Sequence, residues 1–256
     1  MKKILLSLLW LAAFTFPVAG QQRVTTPFHQ APNVQTIPQR TCGTGELDHQ
    51  YEQWLQPLIQ QMEQQNAANK GAAVVYTIPV VFHIIHNNSN VGISYNISTA
   101  QVLSQLDVLN EDFRRLNLAA NTPAAFLPAA ADCEVNFCLA QTDPSGNPTT
   151  GIDRINRITA GFSTPPYTNT YIDATIKSAT IWNTNNYLNI WVVPDYTDNF
   201  GNPLLGHATF PSGSGLTGLT GNFGTATTDG VVLWYRACGR VGSLDPNYNK
   251  RSYSFS

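Results

Sequence analysis

The segment Tyr76–His86 (YTIPVVFHIIH) restricts the possible folds more than any other stretch of the sequence. Its apolar residues follow one another without the regular polar alternation of a half-buried strand. A continuous apolar run of this length is typical of a strand that is covered on both faces. Pro79 has no amide hydrogen to donate, so we expect it near the start of the strand or at an edge.

The rest of the chain predicts an alternation of strands and helices. A Ser-x-x-Gln capping box at Ser98–Gln101 begins an amphipathic helix, and Ile172–Trp182 has the pattern of a second, short one. Further strands are predicted at Glu134–Gln141, Ile152–Ile158, Leu188–Pro194, Leu204–Phe210 and Asp229–Tyr235. Strict alternation in Ile152–Ile158 is typical of an antiparallel or edge strand. This order predicts a mixed α/β sheet.

The N-terminus has the layout of a secretory signal peptide over residues 1–20. Two lysines precede an apolar run from Ile4 to Val18, and small residues follow it. A transmembrane helix is the alternative, but about 15 apolar residues fall short of the ~20 that a span needs. We expect a secreted chain that is not attached to a membrane after cleavage.

The charge balance argues against nucleic acid as a partner. The formal net charge is −2 at pH 7, and only 12% of the residues are charged. Nucleic-acid-binding proteins instead carry a marked excess of lysine and arginine on one surface.

Residues 21–74 contain a leader and a helical segment that needs a docking surface, which is the arrangement of an appended prosegment or cap. Gln21–Arg40 is rich in Gln, Pro and Thr and predicts an extended or disordered leader. Leu47–Met62 has apolar residues at helical spacing, interrupted by Pro57, which predicts a kink or two short helices. The apolar stripe of this segment needs a surface to dock on. We therefore assign 1–20 to the signal peptide, 21–74 to a prosegment and 75–256 to the following domain.

Four cysteines occur in the chain: Cys42, Cys133, Cys138 and Cys238. An oxidising compartment permits disulfides, and four thiols allow three full pairings. The spacings fit no zinc-finger pattern. Cys42 stands far from the others, and the pairing of the other three stays open.

The histidines show no metal-binding spacing. His83 and His86 lie three residues apart on a predicted strand, where their side chains point to opposite faces, so we interpret them as structural. His207 stands alone in a short strand, and His29 and His49 lie in the leader.

Sequence motifs assign no catalytic residue and no metal ligand. There is no H-E-x-x-H, no Gly-x-Ser-x-Gly, no phosphate loop and no dinucleotide-binding glycine pattern. Asp107, Glu111 and Asp112 lie on one predicted helix, and we interpret them as a solvated face.

Several stretches share their order and spacing with one peptidase family. They are Arg40–Thr44, Ile78–His83, Gln105–Asn117, Asn136–Ala140, Asp143–Arg154, Leu188–Val192, Gly206–Pro211 and Asp229–Val232. Together they resemble the pappalysin group, the pregnancy-associated plasma protein A domain, which comprises secreted zinc metallopeptidases of the metzincin clan.

The resemblance implies a fold and an activity. The fold is the upper subdomain of a metzincin, α/β in class, with a mixed twisted sheet and two helices. In the family, the strand like Gly230–Tyr235 precedes an active-site helix with H-E-x-x-H-x-x-G-x-x-H, which binds zinc and hydrolyses peptide bonds. Asn247–Arg251 resembles the lead-in to that helix, and the motif does not follow. We therefore expect a chain truncated before its active-site helix and lower subdomain.

For the full-length family member we expect zinc and a protein or peptide substrate. For this chain we expect no tight zinc and no activity. The alternatives are a non-catalytic secreted α/β module that binds peptides or cell surfaces, and a gene-model or frameshift artefact near Lys250.

Two features carry over from the family residue by residue. Thr41-Cys42-Gly43 resembles its cysteine switch, in which a prosegment thiolate occupies the open zinc position. The segment Gly206, His207, Ala208, Thr209 and Phe210 resembles the edge strand on which metzincins bind extended substrate. An ordinary cysteine and a plain edge strand are the alternatives.

Overall fold

The computed structural model describes residues 41–42, 56–61, 64, 74–117, 122, 127, 130–211 and 223–246. The predicted signal peptide, the leader to Arg40 and the segment 247–256 lie outside these residues. Of the predicted helix Leu47–Met62, residues 56–61 are described, and they are helical.

The described chain forms eleven strands and two main helices. In chain order the strands are β1 (Thr41–Cys42), β2 (Tyr76–His86), β3 (Val135–Leu139), β4 (Ile152–Asn156), β5 (Tyr167–Thr168), β6 (Leu188–Val193), β7 (Tyr196–Thr197), β8 (Leu204–Ala208), β9 (Phe210–Pro211), β10 (Phe223–Gly224) and β11 (Val231–Trp234). The helices are α1 (Thr99–Phe113) and α2, which combines Asn169–Tyr171, Ile172–Lys177 and Ser178–Thr180. The element order that the sequence predicts is confirmed.

Seven of the strands form one mixed, twisted sheet. Its order is β1-β8-β11-β6-β2-β3, and β4 also pairs with β2. The strand β8 runs antiparallel to β11, whereas the other pairs are parallel. The remaining four strands form two small two-stranded sheets, β5 with β7 and β9 with β10.

The strand β2 pairs with three neighbours in this sheet. The first part of one edge pairs with β3 and the last part of that edge with β4, while the other edge pairs with β6. Residues from Val80 to Ile85 are all fully buried. The prediction of a strand covered on both faces is confirmed.

Two apolar cores cover the two faces of the sheet. On β6, Ile190 and Val192 belong to the core that α1 covers, whereas Trp191 and Val193 belong to the core that contains α2. This division follows from the alternation of side chains along a strand.

The helix α1 begins at the predicted position, but the capping box is only half formed. The Ser98 side chain accepts a hydrogen bond from the Gln101 amide, as an N-cap does. The Gln101 side chain bonds elsewhere, as described below. Leu103, which the helical pattern places on the apolar stripe, is 42% exposed.

The outer edge of β3 is closed by a side chain of α1. Asn110 donates through Nδ2 to the Phe137 carbonyl at 2.9 Å and accepts through Oδ1 from the Phe137 amide at 2.7 Å. An amide side chain thus takes the place of a neighbouring strand, which prevents edge-to-edge pairing.

The alternation in Ile152–Ile158 predicted either an antiparallel strand or an edge strand, and the structure confirms only the second. The alternating segment is an edge strand, but it runs parallel to β2 and not antiparallel to it. Alternation reports that one face is more buried than the other, and it carries no information on strand direction.

The helix α2 overlaps the predicted Ile172–Trp182 region, but it begins three residues earlier and ends two residues earlier. Its middle part, Ile172–Lys177, is π-helical. Ile172, Ile176 and Lys177 are buried against the sheet. In the described part of the chain, no helix has the length and apolarity to cross a membrane.

Candidate functional site

The outer edge of β8 is where two sequence candidates meet. Its inner edge pairs with β11, with His207 opposite Val232. Its outer edge pairs in parallel with β1, which places Thr41 opposite Leu204 and Cys42 opposite Gly206. The cysteine-switch candidate therefore lies directly beside the substrate-strand candidate.

Gly206 is the residue of β8 whose identity the local packing restricts most. A Cβ atom at this position would lie 2.8 Å from the Val232 carbonyl oxygen and 3.2 Å from Cδ2 of Leu233. Real Cβ atoms essentially never approach a heavy atom to 2.8 Å. Glycine at 206 thus permits β8 to approach β11 closely.

The predicted edge segment Gly206–Phe210 is divided between two sheets. The residues up to Ala208 belong to the main sheet. Thr209 bonds to the chain before β11: its amide donates to the Gly230 carbonyl at 3.1 Å, and its hydroxyl accepts from the Gly230 amide at 2.9 Å. Phe210 lies in β9, which pairs with β10. Only the first part of the candidate segment can pair with an added strand as part of the main sheet.

His207 faces the interior rather than the outer edge. The residue is 8% exposed, and its ring centroid lies 5.9 Å from that of Tyr196. The pKa of His207 is lowered to about 4, chiefly by burial and also by the charge of Lys177, while Asp173 opposes the shift. The imidazole is therefore neutral near pH 7 and supports β8 from behind.

An ion pair between the buried Lys177 and the partly exposed Asp173 lies close to β8 and β11. Lys177, which is fully buried, places Nζ 2.8 Å from Oδ1 of Asp173 and donates to the Thr228 carbonyl at 2.9 Å. The ammonium group also lies 5.3 Å from the ring centroid of Trp191. Burial lowers the pKa of Lys177, against the effect of Asp173.

Asp229 completes this group at the start of β11. Burial raises the pKa of Asp229, and a hydrogen bond from Thr209 opposes the shift. Lys177 is enclosed by the sheet and α2, and its two carboxylate neighbours are partly buried. We assign the group a supporting role for the candidate edge rather than a catalytic one.

His83 has structural partners, in agreement with the sequence interpretation. Its Nε2 lies 2.9 Å from Oδ1 of Asn189, and its Nδ1 lies 3.1 Å from Oδ2 of Asp153. The ring stacks on Trp191 with centroids 5.2 Å apart. His86 has a different surrounding, where its Nδ1 accepts from the Asn88 amide at 3.2 Å.

The described residues do not fit a zinc site. Within them, no group of three or more His, Cys, Asp or Glu side chains is placed to hold a metal ion. The zinc chemistry that the family resemblance implies therefore has no ligand set in this part of the chain.

Three of the four cysteines have described side chains, and all three are free thiols. Cys133 is exposed, Cys138 is partly buried and Cys238 is fully buried. Burial raises the pKa of Cys238 to about 12. Such a thiol is not ionised near neutral pH and does not act as a nucleophile.

One residue of the supposed solvated face on α1 has a specific partner. Glu111 accepts two hydrogen bonds from Arg240, at 2.7 and 2.5 Å. These bonds lower the pKa of Glu111. The Glu111 side chain is 38% exposed, as a solvated face requires, but its partner lies 129 residues further along the chain and was not predicted.

The comparisons with known proteins come from solved structures. No family model and no curated protein matches the sequence. Mature mirolysin of Tannerella forsythia, solved with a cleaved peptide, is 40% identical over 69% of this chain, with a TM-score of 0.54. Promirolysin of that organism, with one glutamate replaced by alanine, is 37% identical over 82% of the chain, with a TM-score of 0.56. A mirolysin structure with a bound compound gives 40% identity over 69% and a TM-score of 0.54.

The fold is similar to the metzincin fold of mirolysin. The likeness also supports the metallopeptidase resemblance that the sequence motifs carry. The chain spans 58%, 59% and 64% of the length of the three mirolysin chains. The match to mature mirolysin extends over 69% of this chain, and the match to promirolysin extends over 82% of it. The proform therefore matches a longer part of this chain than the mature form does.

Sequence reasoning identified both segments of the candidate site, but it did not predict that Thr41–Cys42 forms a strand or that this strand pairs with β8. The pairing of β1 with β8 joins residues that are more than 160 positions apart. Only two residues of β1 take part, which is too short for a periodic signal. The Lys177–Asp173 pair was also missed, although its i, i+4 spacing is visible in the sequence.

Proposed function

We propose that this chain carries the prosegment and the substrate-binding sheet of a secreted, mirolysin-like zinc metalloendopeptidase of the pappalysin type. In this proposal residues 1–20 are the signal peptide, residues 21–74 the prosegment, and residues 75–256 the N-terminal part of the catalytic domain. The observation that carries the proposal is the position of β1 on the outer edge of β8.

An exposed strand edge binds extended peptides through main-chain hydrogen bonds. In this chain the corresponding edge of β8 is paired with β1, over Leu204 and Gly206. A segment from the proposed prosegment thus lies where an added peptide would pair. This arrangement supports a latent form in which the prosegment covers the substrate strand.

Cys42 is the proposed latency residue. The pairing places its backbone opposite Gly206, at the covered edge. In the family a cysteine at this type of position binds the metal and blocks it. Because the described residues hold no zinc site, we derive no catalytic step for this chain. The 256 residues contain no H-E-x-x-H, and we propose that they do not hydrolyse peptides by themselves.

The proposed lack of peptidase activity is tested by measuring the zinc content and the proteolytic activity of residues 21–256. We expect less than a stoichiometric amount of zinc by mass spectrometry and no cleavage of unstructured protein substrates. One equivalent of zinc together with cleavage that a chelator abolishes would show that the chain is a complete peptidase.

The second candidate function is a non-catalytic secreted module that binds extended peptides. The same edge of β8 favours it, because strand addition needs no catalytic residue. Thr41→Pro, which removes a backbone donor from β1, weakens the pairing on that edge. A labelled peptide with the sequence Arg40–Thr44 should then bind the variant more tightly than the parent chain.

The two candidates differ in what happens to such a peptide. A binding module retains specific, saturable affinity for it when no further residues are added to the chain. Absence of saturable binding by the Thr41→Pro variant would exclude the edge of β8 as a peptide-binding site. It would thereby contradict both the substrate strand of a peptidase and the peptide site of a binding module.

A further inference from the structure

The first two turns of α1 carry polar side chains that are buried instead of solvated. Gln101 and Gln105 are both fully buried. Glutamine is mostly an exposed residue, and a buried amide group requires hydrogen-bond partners. The partners of these two side chains lie in a single segment, which follows β11.

Gln101 binds this segment at three points. Its Nε2 donates to the Tyr235 and Cys238 carbonyls, each at 2.9 Å. Its Oε1 accepts from the Ser243 amide at 2.9 Å. One side chain therefore fixes both ends of the segment Tyr235–Ser243.

Neighbouring side chains hold the middle of the same segment. Oε1 of Gln105 accepts from the Gly239 amide at 2.8 Å. The Ser104 hydroxyl accepts from the Arg240 amide at 2.8 Å and donates to the Gln101 carbonyl at 2.8 Å. Three side chains of α1 thus bind five positions along the segment.

Two glycines make this close approach possible. Gly239 has a φ of +82°, and a Cβ atom there would lie 2.4 Å from the Gln101 carbonyl oxygen. Gly242 has a φ of +95°, and a Cβ atom there would lie 2.4 Å from Oε1 of Gln101. Both the backbone angle and the lack of space require glycine at these positions. The two glycines therefore allow the segment to lie directly against α1.

We propose that Gln101, Ser104 and Gln105 are positioning residues that fix the path of the chain after β11. The inference rests on the proposed function, because in a metallopeptidase of the mirolysin type the segment after this strand leads to the active-site helix. Misplacement of such a segment by about 1 Å is enough to reduce catalysis strongly. The three side chains act by binding the backbone of the segment, and they need no contact with substrate or metal.

Hydrogen exchange of the full chain tests the inference without substrate or metal. In Gln101→Leu we expect the Ser243 amide to exchange at least about tenfold faster, because it loses its acceptor. The amides of Gly239 and Arg240 keep their own acceptors and should exchange faster to a smaller extent, because the segment is no longer fixed at its ends. Amides in β2 and β6 should keep their parent rates.

Asn110→Leu is the matched control. It removes two side-chain bonds from the same helix, but these bind Phe137 in β3. We expect faster exchange in β3 and unchanged exchange in Tyr235–Ser243. A loss of protection in both places would mean that each variant only loosens α1 as a whole, and it would overturn the inference.

Ser104→Ala is a milder second variant that avoids a folding defect. It removes the acceptor of the Arg240 amide and one donor to the Gln101 carbonyl within α1. Only the first of these bonds reaches the segment, so faster exchange in Tyr235–Ser243 should be confined to Arg240. Unchanged exchange in both Gln101→Leu and Ser104→Ala would overturn the inference. The zinc and cleavage measurements decide the proposed function separately, since exchange does not depend on either.

Discussion

Cys42 lies opposite Gly206 in the parallel pairing of β1 with β8. Gly206 in turn lies opposite Leu233 in the antiparallel pairing of β8 with β11. Gly206 is therefore paired on both sides, with the edge strand β1 and with the buried strand β11.

Gly206→Ala should destabilise the fold and displace β8 from β11. The added Cβ atom would lie 2.8 Å from the Val232 carbonyl oxygen, and overpacking of this kind costs about 1–3 kcal/mol. Urea unfolding of residues 21–256 measures the loss. Gly161→Asn is the control, since no atom lies within 4 Å of a Cβ there at φ +75° and asparagine tolerates that conformation. Equal unfolding midpoints for Gly206→Ala and the parent chain would contradict the steric argument.

The main strands could be predicted from sequence because their apolar patterns are strong. The buried runs that became β2 and β6 match their predicted positions within one residue. The predicted strand Asp229–Tyr235 is longer than β11 by three residues. A strand that is buried on both faces has a nearly continuous apolar sequence, whatever its neighbours are. These buried strands can therefore be predicted from sequence alone.

Side-chain partners that are distant in the sequence could not be predicted. Gln101 has the position of a capping-box residue, yet its side chain binds carbonyls more than 130 residues away. Glu111 has the pattern of a solvated residue, yet it pairs with Arg240. In each case local rules give the common outcome, and the tertiary fold supplies a different partner.

His83 and His86 should differ sharply in their effect on stability. His83→Leu removes hydrogen bonds to Asn189 and Asp153 from a fully buried site and should cost about 1–3 kcal/mol. His86→Ala, the matched change at the partly exposed histidine, should stay within about 0.5 kcal/mol. Denaturant unfolding with both variants measures this difference. Similar costs for the two would contradict a structural role that is specific to His83.

Asp143 and Asp198 close two loops with the same hydrogen bonds, which sequence reasoning did not compare. In each loop Oδ1 accepts from two amides, those of Ser145 and Asn147 or those of Phe200 and Asn202. In each loop Oδ2 accepts from the asparagine side chain. These bonds hold the pKa of both carboxyl groups below the ordinary value of 3.8.

Both loops should therefore keep their structure as the pH falls to 3.8 and lose it together at lower pH. A depressed carboxyl pKa contributes stability above the unfolded value, and this contribution is lost as the pH falls through the folded value. Amide chemical shifts of Gly146 and Gly201 should report the two transitions. Asp143→Asn keeps an acceptor oxygen and should preserve its loop, whereas Asp143→Ala should not. Separate transitions well above pH 3.8 would contradict the shared geometry.

His207 should make the stability of the sheet depend on pH in a higher range. Its pKa is lowered from 6.5 to about 4 in the folded chain. The groups that face it are Lys177 and Asp173 on α2 and Tyr196 on β7. The unfolded chain takes up the proton near pH 6.5, whereas the folded chain resists it until about pH 4. Stability is therefore complete above pH 6.5 and falls between those two values, by at most about 3 kcal/mol.

His207→Asn, which stays neutral throughout, should flatten the decline between pH 6.5 and 4. Urea midpoints at intervals across that range measure the slope. The raised pKa of Asp229 acts in the opposite direction, because its contribution is lost as the pH rises, so the difference between variant and parent isolates His207. His86→Asn is the control: the pKa of His86 is also lowered, but the residue is more exposed, and we expect a smaller change in slope. An identical slope for His207→Asn and the parent chain would show that the neutral, buried imidazole does not set the acid sensitivity of β8.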